Sequence, residues 1–270
     1  TFAAKGTKEH GELVLTLVNR LCSVTPTVTT VLSRRGRGKS SAIGLALNEL
    51  YGSMHPTRQI AFCAAHREST KEIFAQMSDE SRHFHSQSPI LTPVEMVEDE
   101  RRFDIVIVEE AAQVPIPLLK RIVTRHDRAH LVFCSTTEGY EGTGRGFTLK
   151  FLKWLKEKKL RLLNLHLKES IRWNTNDSLE RFVYNALLLD AKPSTLPTQY
   201  NRSQIRHVRI GKKELANNTE LLRGIFGLLL EAHYRTSPQD LYQMIDAPQL
   251  HVHALLDQNQ VLAVNLISCE

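Results

Sequence analysis

The apolar positions of this chain change their spacing in a regular order. Residues 8–21 (KEHGELVLTLVNRL) align Leu13, Leu17 and Leu21, with Val14 and Val18 beside them, at the period of an amphipathic helix. Residues 28–32 are a short β-branched run, and 39–50 read as a helix. Residues 59–65 (QIAFCAA) are strand-like, 70–77 helical, and 103–108 (FDIVIV) form the clearest buried strand. Pro115 and Pro117 precede a helix over 118–124, and 130–135 (HLVFCS) is a further strand. Strands that are apolar throughout and alternate with helices predict an α/β fold, a parallel sheet covered on both faces.

Beyond Asp190 the texture changes. The polar, proline-bearing stretch AKPSTLPTQYNRS reads as a connector over 191–215. Helices are expected over 219–233 and 238–246. HVHALLDQNQVLAVNLIS then sets two apolar runs about a polar turn, the pattern of a hairpin. Two domains are therefore expected, 1–190 and an incomplete 216–270. A chain of 270 residues, 41% hydrophobic, has the material for both cores.

Composition narrows the chemistry. Cys22, Cys63, Cys134 and Cys269 lie far apart with no C-x-x-C pair, which disfavours a metal site or disulfide framework and fits buried thiols in a reducing compartment. No run approaches the roughly 20 apolar residues of a membrane span, and no signal peptide is visible, so a cytoplasmic protein without a membrane partner is expected. The chain opens TFAAKG without Met and stops at LISCE, so it is expected to be part of a longer protein. Its net charge of +6 leans toward an anionic partner. Residues 120–182 carry fourteen Lys and Arg against seven Asp and Glu, a local excess of seven. Within them, KFLKWLKEKKLR (150–161) puts Phe151, Leu152 and Leu155 on one face and lysines on the other, either a solvated face or a helix for nucleic-acid phosphates. Trp154 and Trp173 either pack or stack on bases.

The densest chemistry lies in VLSRRGRGKSSAIGLAL (31–47), where Arg34, Arg35, Gly36, Arg37, Gly38 and Lys39 are followed by Ser40 and Ser41. A strand, a glycine-rich basic turn and a helix form a phosphate-binding loop. The glycines let backbone N–H groups curl about phosphate oxygens, the lysine neutralises charge and the hydroxyl ligates Mg²⁺. Ser33 stands where the first glycine of that motif usually does. The required counterpart is a buried strand ending in acid, and DIVIVEEAAQVP supplies it: Glu109 for the metal with Ser40, Glu110 for the attacking water. The strand ending Ser135, Thr136, Thr137 is placed to sense a terminal phosphate, and Gly139–Gly146 with Arg145 reads as a flexible phosphate-binding loop. Arg172, in ESIRWNT, is either a structural ion pair or an arginine finger.

Together RGRGKS, EEAAQVPIPLL, GYEGTGRGF and SIRW, in this order and approximate spacing, resemble the tRNA(Met) cytidine acetyltransferases. These are P-loop NTPases of RecA/helicase-like fold joined to a GNAT acetyltransferase module. EAHYRTSPQDLYQMIDAP resembles the opening of that module. The resemblance covers most of 7–270. It implies transfer of an acetyl group from acetyl-CoA to N4 of the wobble cytidine in the anticodon stem-loop of elongator tRNA(Met), accompanied by hydrolysis of ATP (or GTP) with Mg²⁺. It implies a nucleotide site of Arg35, Gly36, Arg37, Gly38, Lys39, Ser40, Ser41, Glu109 and Arg172, with Lys39 and Glu110 catalytic. His10 occupies the place of the family's base-reading glutamine, and Glu109 that of its usual aspartate. The acetyl-CoA site falls largely outside this chain. Two other readings stay open: an rRNA cytidine acetyltransferase of the same superfamily, and a nucleotide-binding RNA-interaction module with little or no hydrolysis.

Overall fold

The computed structural model describes residues 7–53, 58–138, 147–158, 160–174, 176–193, 202–232 and 237–268. They fall into two compact units, residues up to Thr137 together with 147–174, and Glu138 with the residues from Asn176 onward. The glycine loop 139–146 with Arg145 lies outside the described residues.

In the first unit, α1 (Lys8–Leu21) leads into β1 (Val28–Ser33) and α2 (Lys39–Ser53). Then come β2 (Ile60–Cys63), α3 (Lys71–Ala75), α4 (Asp79–His85), β3 (Ile90–Leu91), α5 (Pro93–Glu98) and β4 (Ile105–Val108). The helix α6 (Ile116–Arg125), β5 (His130–Thr136), a π-helical turn Phe147–Phe151, α7 (Leu152–Glu157) and β6 (Leu162–Leu167) complete it. Among the described residues six strands pair in the order β3-β2-β4-β5-β1-β6, and every pair is parallel.

The alternation of side chains along each strand divides the core in two. Ile105 and Ile107 of β4 face α1 and α2, packing with Leu17, Leu47 and Ile43. Val106 and Val108 face the other way, onto Leu119 and Ile122 of α6 and Phe151 and Leu155 beyond it. The expected parallel sheet with both faces covered is therefore present. β6 and β3 were not legible as strands. β6 (LLNLHL) is an edge strand whose residues are mostly half-buried or exposed, so Asn164 and His166 break the continuous apolar run that marks β4. β3 is two residues long.

The second unit contains α8 (Ser178–Ala186), β7 (Ile205–Ile210), α9 (Lys212–Asn217), α10 (Thr219–Ala232), α11 (Pro238–Asp246), β8 (Leu250–Asp257) and β9 (Gln260–Ser268). Among the described residues β7-β8-β9 form an antiparallel sheet, and the expected hairpin is β8–β9. Val252, Ala254 and Leu256 face Ile225, Phe226 and Met244 in one core. The stretch 191–215, expected as a connector, holds β7, whose Ile210 is buried in that core. Its short run alternates apolar residues with arginine and histidine, which is why it read as polar linker. Leu188 and Ala191 also join that core, and Arg223 donates to Asp190 at 2.8 Å and to Asn185 at 2.9 Å. The segment from Asn176 to Ala191 thus belongs with the second unit in space.

One buried group sets an acid limit on the first unit. His85 on α4 is buried, and neither ring nitrogen completes a hydrogen bond among the described residues. Burial pushes its pKa below the usual imidazole value, against a weaker upward pull from the Leu47 backbone. A histidine held neutral in the fold takes up a proton on unfolding, so its share of stability is present above about pH 6.5 and is lost as pH falls. Urea midpoints measured from pH 8 to pH 5 are expected to fall less steeply for His85→Leu than for the parent chain.

Candidate nucleotide site

β1 lies between β5 and β6, and its last residue, Ser33, pairs in register with Thr136 and Leu167. The chain leaves this strand end through Arg34–Gly38 and enters α2 at Lys39. Gly36 and Gly38 have φ of 78° and 75°, a backbone that favours glycine. Space excludes larger residues as well. A Cβ on Gly36 would overlap the indole of Trp173, and one on Gly38 would lie 2.5 Å from Ile171 Cδ1 and 2.7 Å from His10 Nε2.

Lys39 Nζ donates to Ser33 Oγ and to Thr136 Oγ1, each at 3.2 Å, so it spans the ends of β1 and β5. Ser40 Oγ donates to Glu109 Oε1. Glu109 directly follows β4, is 3% exposed, and its backbone N–H donates to the Cys63 carbonyl at 2.8 Å. Its second oxygen, Oε2, is buried with no hydrogen-bond partner among the described residues. Burial raises its pKa. The Ser40 hydrogen bond, the Lys39 charge and the adjacent weak-donor thiol of Cys134 pull it down, and Glu110 adds a smaller upward push. Glu110 sits in left-handed backbone (φ 48°, ψ 45°), a conformation costing roughly 1–3 kcal/mol outside glycine, and opens the turn Ala111–Gln113.

The loop after β6 closes over the phosphate loop. Ile171 N–H donates to the Gly36 carbonyl at 3.3 Å, and Arg37 Nε donates to the Lys168 carbonyl at 2.9 Å. The guanidinium of Arg37 lies 5.7 Å from the Trp173 ring centroid. Arg172, between Ile171 and Trp173, is exposed and makes no hydrogen bond or ion pair among the described residues. From the other side, Glu9 Oε2 accepts from the Lys168 and Glu169 N–H groups, each at 2.8 Å.

The structure thus gathers Lys39, Ser40, Glu109 and Glu110 at neighbouring strand ends, with Arg172 on the loop above. It gives some of the expected nucleotide ligands another task. His10 is buried, with Nε2 2.7 Å from the Arg37 carbonyl and Nδ1 2.9 Å from Thr7 Oγ1, so both nitrogens are engaged within the protein. Arg37 is buried and clasps backbone carbonyls, while Arg35 stays exposed. Ser41 Oγ donates to Glu72 at 2.9 Å. Sequence reasoning missed Glu9 and Glu72, whose partners lie 159 and 31 residues away and leave no local pattern. Trp173 packs on Gly36.

The family model described as RNA cytidine acetyltransferase NAT10/TcmA, helicase domain, matches residues 30–190. A tRNA(Met) cytidine acetyltransferase TmcA of Nitrosococcus halophilus is 32% identical over 98% of this chain and 36% of its own length. The TmcA of Vibrio cholerae is 36% identical over 78% of this chain and 31% of its own. The chain therefore spans about a third of the length of these curated relatives. Among solved structures, the Pif1 helicase from Candida albicans aligns with TM-score 0.43 at 12% identity, over 76% of this chain and 57% of that one.

Proposed function

Because the chain belongs to the RNA cytidine acetyltransferase family, we propose that it is the nucleotide-hydrolysing part, with the opening of the GNAT module, of an enzyme that acetylates N4 of the wobble cytidine of elongator tRNA(Met) from acetyl-CoA. The observation that carries the nucleotide half is the pairing of Ser40 with Glu109 beside Lys39, where the phosphate loop meets the acid-tipped strand. The relatives named for tRNA(Met) acetylation support the substrate.

The site fits ATP with Mg²⁺. Backbone N–H groups of 36–41 and the Lys39 ammonium bind the phosphates. Ser40 and Glu109 would hold the cation, since hydroxyl and carboxylate oxygens suit a hard cation and Glu109 Oε2 completes no hydrogen bond among the described residues. When bound, the ion offsets phosphate charge. Glu110 orients a water and accepts its proton, and Arg172 supplies charge from the loop above the phosphates. Glu9, Arg37 and His10 hold that loop and the phosphate loop to each other, so hydrolysis is felt by the segment carrying Arg172. In this reading the motor repositions the anticodon stem-loop so that an unstacked cytosine reaches the acetyltransferase module, because N4 of a stacked base is hard to reach.

Mass-spectrometric nucleoside analysis of tRNA from cells lacking the gene tests this. N4-acetylcytidine is expected to disappear from elongator tRNA(Met). An unchanged level overturns the proposal, and loss from small-subunit rRNA alone would reassign the substrate.

A further inference from the structure

Trp154 on α7 is fixed from one side, its ring stacked on the buried Phe151 at 5.9 Å between centroids and 18° between planes. Two ammonium groups converge on it from different elements. Lys120 Nζ, from α6, lies 5.3 Å from the ring centroid, and Lys158 Nζ, just past α7, lies 5.6 Å from it. Lys158 donates its backbone N–H to the Trp154 carbonyl at 3.1 Å, and neither ammonium group makes an ion pair or a hydrogen bond among the described residues. The indole attracts each cation through its negative face. Lysine heads are normally mobile. Here a core-anchored aromatic draws both to one ring before any ligand arrives, an arrangement suited to a phosphate-bearing anion.

We infer that Lys120 and Lys158, gathered at Trp154, form a binding site for the phosphodiester backbone of RNA. The inference rests on the proposed tRNA substrate and places part of its contact on the outer face of the first unit, apart from the nucleotide site. Charge complementarity favours nucleic acid. The stretch 120–182 carries an excess of seven positive charges, and α7 adds exposed Lys153 and Lys156 beside Lys158. Trp154 is the positioning group rather than a base-stacking platform, since one ring face rests on Phe151 and the lysines attend the ring from elsewhere.

Filter binding of the full chain to an unmodified tRNA(Met) transcript, from 50 to 300 mM KCl, tests the assignment. The double variant Lys120→Ala/Lys158→Ala is expected to bind roughly tenfold or more weakly at 0.1 M salt. The slope of log K against log salt should fall by about 1.8, the value for two phosphate contacts in duplex RNA treated like B-DNA. Trp154→Phe, which keeps an aromatic ring, should retain most of the affinity, and ATP turnover without RNA should be unchanged in all variants. An unaltered slope with the parent chain still binding overturns the inference and leaves the tRNA proposal standing. Failure of the parent chain to bind RNA at any salt overturns both. Unchanged RNA binding with lost binding to phosphatidylserine vesicles would assign the site to a lipid surface and overturn the RNA assignment.

Discussion

Replacing Lys39 by alanine is expected to weaken ATP binding by about two decades and to abolish hydrolysis, while moving the denaturation midpoint little. The ammonium donates to two neutral hydroxyls, Ser33 and Thr136, at 3.2 Å each, and its charge acts on the buried Glu109. Those neutral bonds contribute about 1 kcal/mol each to the fold, and the Glu109 carboxyl beside Lys39 can take up a proton once the ammonium is removed, since burial already raises its pKa. A triphosphate in the loop is different. Removing one partner of a desolvated charge pair costs about 2–5 kcal/mol, and each 1.4 kcal/mol is a factor of ten. Calorimetric titration with a non-hydrolysable ATP analogue, beside thermal unfolding of both proteins, gives the two numbers. Normal hydrolysis by Lys39→Ala would remove the phosphate loop from the chemistry.

Glu109→Gln is expected to act in opposite directions on activity and stability. It should reduce hydrolysis by at least about a hundredfold and stabilise the nucleotide-free chain at neutral pH by about 1–2 kcal/mol. Glu109 is a carboxyl group 3% exposed whose Oε2 finds no hydrogen-bond donor among the described residues. Burial pushes its pKa up despite Ser40 and Lys39. A group with a raised pKa in the fold favours the fold below its unfolded pKa, near 4.5, and loses that contribution as pH rises through its folded value. Glutamine keeps an oxygen for Ser40 and removes the charge. The two proteins should therefore match near pH 4 and diverge steadily above it, the variant becoming the more stable. Urea denaturation at pH 4.5, 6 and 8 reads this directly. A variant less stable than the parent at pH 8 would mean that the carboxylate is well solvated, and its role as a metal ligand held in reserve would lose its support.

These residues also mark how far a sequence can be read. RGRGKS and IVIVEE are local patterns, and the parallel sheet brings them together because β1 and β4 both flank β5. The continuous apolar runs of β4 and β5 were legible because both faces of those strands are buried. β6, at the sheet edge, keeps polar residues and escaped notice for that reason. His10 was legible as part of the site but not in its task. A histidine that the resemblance sets at a base-reading place gives no sign in sequence that its two nitrogens are taken by Thr7 and Arg37. The clasp by Glu9 was invisible for a related reason, since one carboxylate accepting two backbone N–H groups across 159 residues exists only after the fold brings α1 and β6 together. The second unit begins before the expected boundary because Leu188 and Ala191 find their burial partners on α10 and the sheet, contacts that leave no local pattern.

The chain contains two tryptophans, and each rests beside a different working part. Trp173 covers Gly36 of the phosphate loop, and two lysine ammonium groups lie within 5.6 Å of the Trp154 ring centroid. Emission from one indole should therefore track nucleotide occupancy and from the other polyanion occupancy. Swapping either ring for phenylalanine leaves a chain that lights up a single event, which makes the order in which the two ligands arrive measurable in one stopped-flow cuvette without any added dye.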